Sequence, residues 1–75
     1  MMTSEAALRT LLTVLAKQQQ VGMLRSAVSR LGVSDCLVAL TLSLDLVGSG
    51  ERDAGLALLA CARQRFARGD GAVVA

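Results

Sequence analysis

The chain has 75 residues, 53% of them apolar, with one aromatic, no histidine, no proline, two cysteines and a net charge of +2. That length allows one domain, and a chain this short buries only about 60% of the surface its unfolded form exposes. Two cysteines without Cys-x-x-Cys spacing or histidine are too few ligands for a zinc site, and the lack of a His base or paired carboxylates beside a nucleophile argues against an enzyme, so no metal or cofactor is expected.

Seven arginines, one lysine and six acids are spread along the chain, with no polybasic run to mark nucleic acid or anionic lipid as the partner. The densest cluster, Arg63, Arg65 and Arg68, suits a helix C-terminus, where cations meet the macrodipole favourably. A membrane-spanning helix needs about 20 mostly apolar residues, and the best uncharged run, Cys36 to Leu44, ends at Asp45. The start MMTSEAALRT carries Glu5 and no basic cluster, unlike a secretory signal. A cytoplasmic protein with reduced cysteines is expected.

A first helix is predicted over 4–19, capped by Thr3 or Ser4, with Glu5 and Arg9 at i, i+4 spacing and Leu8, Leu11, Leu12 and Leu15 as its stripe. The polar stretch Lys17–Gln20 closes it, and Gly22 permits a bend. A second helix over 22–31 carries Leu24, Ala27, Val28 and Leu31 on one face and stops at Gly32, a C′ residue able to take positive φ. A third helix is predicted over 35–47, with Ser34 as N-cap. Within it, 40–46 reads LTLSLDL, which alternates like a half-buried strand. The only other β-like stretch, 72–75, is too short to pair with it, so helix is preferred.

On a helical wheel this third helix has two apolar faces: Leu37, Leu40, Leu44 and Val47 on one, and Val38, Leu42 and Leu46 on the other. Gly48, Ser49 and Gly50 form a turn, with Ser49 or Gly50 as the next cap. The last helix, over 51–68, has Glu51 and Asp53 in its first turn and a bulky stripe of Leu58, Leu59 and Phe66, with small Gly55 and Ala62 between them to admit a close neighbour. Residues 1–69 form the single domain, and 70–75 is expected to be a loose tail.

Residues 28–38 read VSRLGVSDCLV and resemble the turn of a helix-turn-helix DNA reader. The resemblance implies that the helix after the turn enters a major groove, which requires exposed Arg, Lys, Asn or Gln. This segment supplies Asp35, Thr41, Ser43 and Asp45 instead, and acids repel phosphate. A glycine C-cap followed by a serine N-cap accounts for the same letters, so nucleic acid is the runner-up partner.

Residues 34–68 resemble one tetratricopeptide hairpin, with Ala54, Leu58 and Cys61 at its small and apolar positions. Val38, Thr41-Leu42 and Phe66 stand where that family has its tryptophan, Leu-Gly pair and proline. In size and layout the hairpin is also similar to cytosolic chaperones of type III secretion needle subunits, which hold an aggregation-prone helix in an apolar groove. That resemblance implies a groove of Val38, Leu42, Leu46, Leu58, Leu59 and Phe66, with Arg63, Arg65 and Arg68 at its rim.

Cys36, in a first helical turn where a thiol pKa can fall, and Cys61 are otherwise read as packing residues. The expectation is an all-α bundle of three or four helices ending in an antiparallel hairpin. It acts as a protein-binding module, chaperone or adaptor, the alternatives being the DNA-binding regulator and a structural homodimer.

Overall fold

A computed structural model describes the backbone of residues 5–74 and the side chains of residues 5–67. Four helices account for it: α1 Glu5–Lys17, α2 Val21–Ser29, α3 Val33–Gly48 and α4 Arg52–Val74. No strand occurs among the described residues, and 40–46 lies wholly within α3. Alternation lost to helix because a lone strand would leave its backbone unpaired, whereas α3 satisfies its own.

The core runs through all four helices. Leu8, Leu12, Leu15 and Ala16 of α1 and Leu24 and Val28 of α2 meet Cys36, Ala39, Leu42 and Leu46 of α3 and Ala54, Leu58, Cys61 and Ala62 of α4. The contact between α3 and α4 is the largest. It is antiparallel, because Gly55 lies against Ser43 and Val47 while the Cys36 thiol points at the Ala62 carbonyl, 3.7 Å away. Small side chains dictate this closeness. A Cβ on Gly55 would come within 2.7 Å of the Ser43 carbonyl oxygen and 2.9 Å of the Val47 nitrogen, both immovable backbone atoms.

Two helix ends share one device. After α3, the Glu51 N–H donates to the Leu46 carbonyl at 2.8 Å and the Gly50 N–H to the Val47 carbonyl at 3.2 Å, with Gly50 at φ 95°. After α1, the Gln20 N–H donates to the Leu15 carbonyl at 3.0 Å and the Gln19 N–H to the Ala16 carbonyl at 3.2 Å, with Gln19 at φ 60°. Both are Schellman closures, which favour glycine at the left-handed position. At α1 that position holds a glutamine.

Several boundaries differ from expectation. Gly32 is extended, φ −74° and ψ 176°, and serves as the N-cap of α3, so Ser34 sits inside the helix. The Cys36 N–H already reaches the Gly32 carbonyl at 2.9 Å, which starts the helix earlier. No left-handed residue is needed after α2, because Arg30 and Leu31 close it with i→i−3 bonds to Ala27 and Val28. The bend near Gly22 falls instead at Gln18–Gln20, and Gly22 lies within α2. For α4, Glu51 rather than Ser49 or Gly50 holds the cap position, its carbonyl accepting the Gly55 N–H at 2.9 Å. That helix runs on through Gly69 and Gly71 to Val74, so residues 70–74 are helical backbone where a loose tail was expected. Glycine lowers helix propensity by about 1 kcal/mol without forbidding it. The expected caps Thr3 and Ser4 lie outside the described residues.

Gly55→Ala should lower stability by about 1–3 kcal/mol through overpacking. Gly48→Ala, with nothing within 4 Å of its added Cβ, should instead raise it by about 0.4–1 kcal/mol. Gln19→Gly should stabilise by about 1 kcal/mol, the strain of a left-handed non-glycine residue. Urea melts of the three variants check these signs together.

Candidate functional site

Small residues on the inner side of α3 decide which of its two apolar faces is hidden. Cys36, Ala39 and Ser43 stand at i, i+3 and i+7 and let α4 approach; Leu42 and Leu46 lie on the same inner side. Leu42 is 5% exposed and Leu46 6%, while Val38 is half-buried at the edge of the core. Leu37 stands about 140° around the helix from Leu42, and the opposite face is therefore wet. Val33 is 63% exposed, Leu37 53% and Leu44 66%, with Val47 also exposed and Leu40 half-buried between them.

The expected groove is thus largely internal to the chain. Leu42, Leu46 and Leu58 fill its own core, and a partner could reach them only by displacing α1 or α4. Leu59 and Phe66 are half-buried on the edge of α4 that also carries Gly55 and Ala62, the edge that meets α3. They remain partly open. Of the expected rim, Arg63 is exposed, whereas Arg65 is half-buried and its Nε donates to the Leu31 carbonyl at 3.0 Å, tying α4 to the α2–α3 turn. The Arg68 side chain lies outside the described residues.

The accessible apolar surface of α3 is therefore the outer stripe Val33, Leu37, Leu40, Leu44 and Val47. Its spacing of 4, 3, 4 and 3 residues is that of a coiled-coil seam. The wheel separated the two faces correctly, but hydrophobicity alone could not rank them. The run of small residues at 36, 39 and 43, matched by 54, 55 and 62, was the signal that would have done so.

Polar groups frame the stripe on one side. Arg9 Nη2 donates to Asp45 Oδ2 at 2.9 Å, joining α1 to α3, and takes the place of the expected Glu5 to Arg9 pairing. Thr41, beside the stripe, donates to the Leu37 carbonyl at 3.1 Å, while Ser43, on the buried side, donates to the Leu40 carbonyl at 2.6 Å, so both hydroxyl protons are taken up within the helix. α3 contains no Lys, Arg, Asn or Gln, the side chains that most commonly read base edges bidentately.

Concavities also lie between other helices. One of about 300 Å³ between α1 and α2 is lined by Leu11, Leu15, Met23, Ser26, Ala27 and Arg30. Another, of about 370 Å³ between α2 and α4, is lined by Arg25, Ser29, Cys61, Gln64, Arg65 and Ala67. Cys61 has little surface there, and Arg65 is already engaged. Among the described residues no group of three or more His, Cys, Asp or Glu side chains could hold a metal ion.

Both cysteines are free and buried. Burial pushes the Cys36 thiol pKa up, against the opposing pull of Arg65, and does the same at Cys61 against Arg25. The Cys36 shift is upward, opposite to the lowering that a first-turn position can produce. Because the folded chain holds these protons more tightly than the unfolded chain, their contribution is complete below the ordinary thiol range and is lost as pH rises through the folded-state pKa. Alkaline loss of stability should be shallower in Cys36→Ala/Cys61→Ala than in the native chain, as measured by denaturant melts across that range.

No protein family, curated protein or solved structure matches this chain.

Proposed function

We propose that the protein is a non-enzymatic binding module that covers an apolar helix of another polypeptide with the outer face of α3. The observation that carries this reading is the exposed stripe Val33, Leu37, Leu44 and Val47 on a core helix of so small a domain. A leucine fully removed from water contributes about 1.5–3 kcal/mol, a large part of the roughly 3–5 kcal/mol one small core supplies. Contiguous exposed aliphatic surface of this kind marks an interaction site. An amphipathic helix presenting residues at i, i+3, i+4 and i+7 is the complementary ligand.

The stripe replaces the inner groove as the contact surface, and Leu59 and Phe66 extend it toward α4. Arg63 on the same helix sets orientation at the rim. A chaperone or adaptor role follows, of the sort performed by the needle-subunit chaperones that the hairpin resembles in size and layout, with a cytoplasmic location. Among the described residues no helix is long and apolar enough to cross a membrane.

The test is affinity capture from the native host with the wild-type chain, Leu37→Asp and Leu44→Asp. Both variants should lose the captured chain while keeping the far-ultraviolet circular dichroism of the wild type. Leu42→Asp, at a buried position, should instead lose helicity. Undiminished capture by both outer-face variants would overturn the reading.

A further inference from the structure

Given the docking role of the outer face of α3, we infer that in the absence of another ligand this face is occupied by a second copy of the chain, seated antiparallel about a two-fold axis at Leu40. Read outward from Leu40, the stripe is Leu37 then Val33 in one direction and Leu44 then Val47 in the other. Both valines stand seven positions away, and the leucines three and four. The stripe is therefore nearly palindromic in residue type and in spacing. A two-fold axis turns such a stripe onto itself, setting Val33 against Val47 of the second copy and Leu37 against Leu44, which is the self-complementarity an isologous interface requires.

Electrostatics favour the same arrangement. Ser34 and Thr41, which border the stripe, are exposed and uncharged, so the α3 stripes of two copies meet without like charges, and the rim charge Arg63 lies on α4. Asp45, the nearest acid on the α1 side, is already paired with Arg9. Antiparallel helices also oppose their macrodipoles, placing the N-terminus of one α3 beside the C-terminus of the other.

Size sets the strength. The sixteen residues of α3 span about 24 Å, and one helix pair of that length buries less than the roughly 800 Å² per partner of a standard interface. Exposed Leu56 and half-buried Leu59 on the adjoining α4 add to the face. The pair is accordingly reversible, and it leaves α3 free to exchange its own copy for another helix.

Sedimentation analysis over a wide concentration range tests this. The wild-type chain should pass from the mass of one chain to that of two as concentration rises, while Leu37→Asp and Leu44→Asp remain single chains with unchanged helicity. For orientation, Leu37→Cys mixed with Leu44→Cys should form the mixed disulfide faster than either forms its own. A single-chain mass at every concentration, a dimer that survives both aspartate variants, or dominant self-paired disulfides would overturn the proposal. A monomeric wild type that still captures another protein in a Leu44-dependent way sinks only the self-pairing. Capture that ignores both leucines sinks the docking reading itself.

Discussion

The missing side chain at Gly55 fixes how closely α4 can lie on α3, and most of the architecture follows from that distance. With the backbone of Ser43 and Val47 directly opposite, the two helices approach until the Cys36 thiol reaches the Ala62 carbonyl, and buried Ala39, Ser43, Ala54 and Ala62 lie in the core between them. Dense contact between such atoms compensates for their small apolar area, since each pair at optimal separation contributes only about 0.1–0.2 kcal/mol. Ser43 tolerates this burial because its hydroxyl is turned back onto the Leu40 carbonyl. Once that seam is set, the rotation of α3 about its own axis is no longer free. Leu42 and Leu46 must point inward to α1 and α4, and Leu37 and Leu44 must point out.

Polar contacts then hold the remaining helices in register. Arg65 reaches the Leu31 carbonyl and so closes the end of α2 against α4. This is a charge-assisted bond at a half-buried position, of a kind whose net contribution is about 1.5–3 kcal/mol. The Arg9 to Asp45 pair and the longer Lys17 to Glu51 pair, at 3.8 Å, both leave much of their side chains in water. Exposed pairs contribute about 0–1 kcal/mol, so their part is orientation more than stability.

Such a fold carries an unusual surplus. A chain of this length has little margin, yet one of its two central helices leaves a row of aliphatic side chains in water. Random placement of apolar residues on a surface is ordinary, but a row with seam spacing along the full length of α3 is not random. An apolar partner helix offers that row the burial that its own domain is too small to supply. Both proposals rest on this surplus, the first on its existence and the second on its symmetry.

The sequence by itself determined that the fold is helical with three or four helices, roughly where each begins, and that α3 is greasy on two sides. Local causes suffice for those features: 3.6-residue periodicity, a turn glycine at 50, and acids in first turns. It also marked Gly55 and Ala62 as places of close approach. Only the tertiary structure decided which side of α3 is spent on the core, and with it the exchange of Leu42 and Leu46 for Leu37 and Leu44 as the reachable surface. The reason is that both sides are strongly hydrophobic, and the one left in water carries four large apolar residues against three, so transfer from water does not choose the observed side. Shape does, through the fit of small residues on two helices far apart in sequence, and that fit exists only when the hairpin closes.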